Sequence, residues 1–179
     1  MNKYLTIYLY GYILMISGVV LFFTENSNFE QTKTIIGFGL IIGALLAIIS
    51  AFSSQRKQVQ FAYHEMHALT MLVYGVTILV FVNSLENLIS LSIFLFVFYT
   101  FSEIIFCNWL FNLTKNINYK VLIVRLLIAA IVGLGSIVTI FYPNWTFEIF
   151  GLLFILIGLN IMLYIPIMKN KYFTFSEVS

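Results

Sequence analysis

Long apolar runs alternate with short polar clusters along the whole chain. The runs cover roughly 4–23, 34–53, 59–82, 87–110, 121–142 and 147–168. A helix needs about 20 apolar residues to cross a hydrocarbon core. A barrel strand would instead alternate apolar and polar positions over about 10 residues. The runs are continuous, so the pattern predicts an all-α integral membrane protein with six transmembrane helices. The first run follows Lys3, as the apolar run of a signal peptide follows its basic residues, but it is too long and no small-x-small cleavage site follows it. It is expected to stay as a helix. Residues 169–179 are expected to form a short cytoplasmic tail.

Composition strengthens this reading. Hydrophobic residues make up 61% of the chain and charged residues 9%, whereas soluble domains carry about 25% charged residues. The charges also sort by side. Short loops keep Lys and Arg on the cytoplasmic face. With alternate loops assigned to opposite faces, Lys3, Arg56, Lys57, Lys115, Lys120, Arg125, Lys169 and Lys171 fall on or near one face, and Lys33 falls on the other. Both termini are therefore expected inside, in a bacterial inner membrane. The outer connections carry Glu25, Glu30, Glu86 and Glu148. Trp109 and Tyr119 are placed at the inner interface, and Tyr142 and Trp145 at the outer one. The net charge of +2 then reflects topology, and nucleic acid is not an expected partner. Membrane lipids are, with other membrane subunits or further copies of the chain as candidates.

The chain also repeats. Gly18, Gly75 and Gly135 lie late in the odd-numbered runs, and each is followed eight residues later by an outer turn, at Asn26, Asn83 and Pro143. Each copy reads as a helix, a short turn and a returning helix, over about 4–53, 59–110 and 121–168. A two-span unit keeps its orientation, so three copies would be parallel repeats about an axis along the membrane normal. The returning helices carry small residues suited to close packing: Gly37, Gly39 and Gly43 in the second run, Gly151 and Gly158 in the sixth. The fourth run lacks glycine and offers Ser90, Ser92, Thr100 and Ser102 instead, which makes the middle hairpin the divergent copy.

The stretches ISGVVLFFTEN with IIGFGLIIGALL, YGVTILVFVNSLEN, and GLGSIVTIFYPNWTFEIFGLLFILIGL carry a family resemblance. Three tandem hairpins with apolar-Gly-apolar segments and short Pro/Asn turns resemble the HdeD-like acid-resistance membrane proteins of bacteria. The likeness spans about residues 10–165. That family usually has Pro in these turns, which this chain keeps only in the third copy. The resemblance implies an inner-membrane protein linked to acid stress, and it supplies no catalytic residues.

Ionisable groups at membrane depth are costly, which makes them functional candidates. Glu103 lies nine residues before Asn112, roughly 13 Å in from the inner end of its helix at 1.5 Å per residue. Arg125 lies five residues after Lys120, roughly 8 Å in by the same rise. The two helices would be antiparallel neighbours, so a Glu103–Arg125 ion pair is expected. Gln60, His64, His67 and Met71 share one face of the third helix, with His67 near the depth of Arg125. Glu103, Arg125, His67 and His64 are therefore the candidate polar cluster, able in principle to sense or relay protons. The structural alternatives are a packing lock for the ion pair and headgroup-level positions for the histidines. The string His64-Glu65-Met66-His67 lacks the spacing of the zinc-protease motif, and neither a metal nor a cofactor is expected. Cys107 reads as core packing.

No phosphate-cradling loop or nucleophile–base pair stands out, so no catalytic residue is assigned and an enzyme is not expected. Three readings follow: a non-enzymatic HdeD-like protein of acid or envelope stress, an accessory or assembly subunit of a larger membrane complex, and a small transporter or proton-linked channel.

Overall fold

The computed structural model of the chain describes residues 3–23, 28–53, 60–113 and 119–168. Among these the protein is all helical: α1 (Lys3–Phe22), α2 (Phe29–Ser53), α3 (Gln60–Phe81), α4 (Leu85–Leu113), α5 (Tyr119–Phe141), α6 (Thr146–Met162) and a short α7 (Tyr164–Met168). A single 3-10 turn, Pro143–Trp145, joins α5 to α6. Glu25, Asn26, Arg56, Lys57, Lys115 and the tail at 169–179 with Lys169 and Lys171 lie outside the described residues.

Among the described residues, five helices are long and apolar enough to cross a membrane: α1, α2, α4, α5, and α6 continued through α7. The side chains of α3 are described from His67 onward, and His67–Phe81 is apolar. The architecture is that of a helical membrane protein. The exposed surface agrees, because large apolar side chains such as Phe94, Phe101, Ile105, Leu134 and Phe141 point outward.

Local chemistry sets the helix ends. The second run begins a full turn earlier than its apolar pattern suggests. The Asn28 side chain accepts from the Gln31 N–H, and Asn28's carbonyl accepts from the Thr32 hydroxyl, while Glu30 in the first turn suits the positive end of the helix dipole. Likewise α4 starts at a Ser84 cap, whose hydroxyl accepts the Asn87 N–H at 3.2 Å.

The sixth run is not continuous. It breaks at Leu163, between α6 and α7. Pro166 has no N–H to give the Met162 carbonyl, and its ring crowds that carbonyl. The helix proper therefore ends at Met162, and the chain resumes in α7 with a closing bond from Leu163 N–H to the Leu159 carbonyl.

Each long helix packs beside its chain neighbours, and α6 returns to α1, so the six form a closed ring. The closest packing is not within the expected hairpins. It lies between α1 and α6 and between α2 and α3, whereas α3 and α4 are the loosest neighbours. Glycine explains this. A Cβ added at Gly158 would meet the Gly11 carbonyl oxygen, and one at Gly151 would sit 2.6 Å from that of Gly18. Gly11 and Gly18 on one helix thus face Gly158 and Gly151 on the other in antiparallel register. Gly75 approaches the Gly37 carbonyl in the same way across α2 and α3. Between α4 and α5 the equivalent contact is a side chain: a Cβ at Gly133 would meet Thr100.

Candidate functional site

Each helix of the ring buries one stripe. In α5 the stripe is Leu122, Arg125, Ala129, Val132, Ser136 and Thr139, at three- and four-residue spacing. In α4 it includes Tyr99, Glu103, Phe106, Cys107 and Leu110. The stripes face each other, so Glu103 and Arg125 meet inside the ring, exposed by only 2% and 1%. Arg125 Nη2 donates to both carboxylate oxygens, at 2.6 and 2.8 Å, and Nε donates to Oε2 at 3.3 Å. Close by, the Thr100 hydroxyl lies 2.9 Å from the Phe96 carbonyl of its own helix and 3.1 Å from the Ala129 carbonyl on α5, beside Gly133, where a Cβ would meet Thr100.

Aromatic rings enclose the pair. The Arg125 guanidinium lies 5.4 Å from the Phe106 ring centre and 5.3 Å from that of Tyr164 on α7. The break at Leu163 thus precedes a residue used at the site. The Cys107 thiol is 4.0 Å from Glu103 Oε2. His67 of α3 is buried, with its ring 5.5 Å from Tyr99 and 6.5 Å from Tyr10 of α1. The Asn160 amide of α6 donates to the Tyr99 hydroxyl. The Tyr10 hydroxyl is buried without a hydrogen-bond partner among the described residues. Gly43 of α2 makes room for Tyr10, since a Cβ there would stand 2.6 Å from its ring.

The structure therefore gathers Glu103, Arg125 and His67 in one interior region. His64 falls within α3, and its side chain lies outside the described residues. The glycines singled out by pattern sit at helix contacts: Gly18 with Gly151, Gly158 with Gly11, Gly75 with Gly37, Gly39 against Ser17, Gly43 against Tyr10, and Gly135 against Leu153. Sequence reasoning missed Tyr10, Tyr99, Asn160, Tyr164 and Gly11. Asn160 carried a readable signal: it is a lone amide in an otherwise apolar helix, where a polar side chain usually bonds across to a neighbour.

Chemically, the site balances one carboxylate against one guanidinium in a water-poor setting. Charge-assisted, forked pairs of this kind are the strong ones, and in an apolar interior they hold only while both partners are present. Beyond the pair, Phe96 packs edge-on against Phe150 and Phe154, at 5.2 and 5.6 Å between ring centres, which fills the interior between α4 and α6. Among the described residues no group of three His, Cys, Asp or Glu side chains is placed to hold a metal ion. No family model, curated protein or solved structure matches the chain.

Proposed function

We propose that this is a non-enzymatic protein of the bacterial inner membrane, HdeD-like in plan, that supports survival under acid or envelope stress. In this reading the chain crosses the membrane six times with both termini in the cytoplasm, as three parallel hairpin repeats. Two matching glycine contacts support the repeat. At Gly18 an added Cβ meets the Gly151 carbonyl and the Ile155 N–H, and at Gly75 it meets the Gly37 carbonyl and the Ile41 N–H. In the first two copies the odd helix seats on a returning helix outside its own hairpin, α1 on α6 and α3 on α2, whereas Gly135 of α5 meets Leu153 of α6 within the third.

The observation that carries the functional reading is the buried Glu103–Arg125 pair with His67 beside it. A fold held by lipid-facing packing alone has no need of charge at that depth, and charge there is costly. The test is survival of cells in acid. Deletion of the gene is expected to lower survival, and Glu103→Gln or His67→Phe to reproduce the loss when expressed at wild-type level. Normal survival in all three would remove the stress role.

An accessory-subunit role is the second reading, favoured by a lateral groove of about 260 Å³ between α1 and α2. Ile13, Ile16, Phe38 and Ile42 line its walls, with Gly39 and Ser17 among the lining. Stable co-purification of a partner in mild detergent would support it; a lone monodisperse species would not. The transport reading gains no support from an interior filled by Phe96, Phe150 and Phe154.

A further inference from the structure

We infer that the outward face of α1 seats a second copy of this chain, with the two Tyr12 hydroxyls bonded to each other across a two-fold axis along the membrane normal. The inference rests on the membrane reading given above. Among the described residues the exposed phenols are Tyr8, Tyr12, Tyr119 and Tyr142. Tyr119 opens α5 and Tyr142 directly follows it. Both therefore stand at helix ends, where a ring sits in the apolar layer and its hydroxyl in water. Tyr8 lies about 8 Å from the inner end of α1 by helical rise, and its hydroxyl extends toward the interface. Tyr12 has no such exit. It falls midway along α1, whose 20 residues give a length of about 30 Å, the thickness of the hydrocarbon core. Its side chain is 53% exposed, so the phenol faces lipid near the bilayer centre. A hydroxyl without a hydrogen-bond partner is costly in hydrocarbon.

The face around Tyr12 is shaped for a helix. Leu5, Leu9, Tyr12, Ile16 and Val19 are all exposed, at alternating steps of four and three residues along the chain. That is the 3.5-residue repeat of a seam that two helices keep in contact along their length. The ring leaves the seam free. Gly11 and Gly18 turn toward α6, and Tyr10 and Ser17 toward Gly43 and Gly39 of α2; the stripe lies between these two contacts and faces away from the interior. Beside it runs the lateral groove between α1 and α2, and Ile16 belongs to both. A helix laid along the stripe therefore also covers one wall of the groove.

Symmetry selects the occupant. Copies of one chain share one orientation in the membrane, so a two-fold axis relating them runs along the membrane normal and brings each residue near it against its own counterpart at equal depth. A phenol both donates and accepts, which makes Tyr12 complementary to itself. Lipid tails offer this hydroxyl nothing. A face suited to lipid is the one on α5, where Ile123, Leu127, Ile131 and Leu134 are exposed and wholly aliphatic.

The experiment uses the full chain in native membranes, in a Cys107→Ala background. Leu9→Cys and Ile16→Cys stand about one turn to either side of Tyr12, on the exposed face, where they leave the interior untouched. Under a membrane-permeant oxidant each is expected to give a disulfide-linked species of twice the chain's mass, whereas Leu127→Cys on α5 stays single. Tyr12→Phe keeps the ring and removes the hydroxyl. It is expected to associate roughly fivefold more weakly than wild type, read by energy transfer between labelled copies in liposomes at graded protein-to-lipid ratios. Equal cross-linking at Leu127→Cys marks random collision, a cross-linked species of any other mass marks a different protein on this face, and no cross-link at either site marks lipid; each overturns the proposal. So does Tyr12→Phe associating as strongly as wild type. Failure here is distinct from failure of the membrane reading. Leu9→Cys that stays single and resists a water-soluble maleimide removes the dimer and leaves that reading standing, while Leu9→Cys that labels from water removes both.

Discussion

Arg125 is the bulkiest of the fully buried side chains, and it is charged. Its burial is sustained by three contacts to one carboxylate and by two rings. Removing the guanidinium in Arg125→Met takes the ion-pair partner from Glu103 and should lower stability by up to about 3–5 kcal/mol. Changing both partners together, in Glu103→Leu/Arg125→Met, should cost much less than the single changes summed. Unfolding in mixed detergent measures both, and additive losses would refute the pairing. A smaller effect is expected at Asn160→Leu, which takes the donor from the Tyr99 hydroxyl. Interhelical bonds of this kind contribute about 1 kcal/mol in membranes, so the same assay should show a loss of that size. The ion pair was legible in the sequence because charges stand out in an apolar run and helical rise gives their depth. Tyr10 and Tyr99 were not, because a phenol is common both in membrane cores and at interfaces, and pattern alone does not say which rings converge.

Helix contacts obey a simple distinction between backbone and side chain. At Gly151 an added methyl meets the Gly18 carbonyl and the Phe22 N–H. Neither can move unless the helices part, so Gly151→Ala should cost about 1–3 kcal/mol. At Gly135 the methyl meets the Leu153 Cδ2 atom at 2.7 Å, the far end of a flexible side chain. Gly135→Ala should therefore cost less than Gly151→Ala, and similar losses at the two sites would contradict this account of the contacts. Element identity was written plainly in the apolar runs. Their ends were less so: α2 begins at an Asn28 cap and α4 at a Ser84 cap, both outside the apolar windows. The break at Leu163 had a visible cause in Pro166, but the surrounding apolar run masked it. Which helices press closest was not legible, because glycine spacing marks a contact face without naming the face it meets.

At the scale of the molecule, the ring closes only when the last long helix reaches the first. Gly11 and Gly18 of α1 find their counterparts on α6, which follows the other five long helices in the chain. A fragment ending at Phe141 should therefore lack the protease resistance of the full chain in detergent, and should regain it when α6 and α7 are supplied as a separate segment. Resistance of the fragment alone would show that the ring is not the stable unit. The same closure accounts for the interior site, since Tyr10, His67, Glu103, Arg125, Asn160 and Tyr164 come from six different helices and converge only once the ring is complete.

The central claim is that the apolar helices thread the bilayer in alternating directions, with their basic connections inside. Single cysteines in a Cys107→Ala background test it most directly, read by a membrane-impermeant maleimide on intact spheroplasts. Cysteines at Asn83 and Asn144 should label from outside, while those at Ser54, Asn116 and Ser179 should label only after the membrane is opened. Labelling of Ser54 or Ser179 from outside would contradict the account.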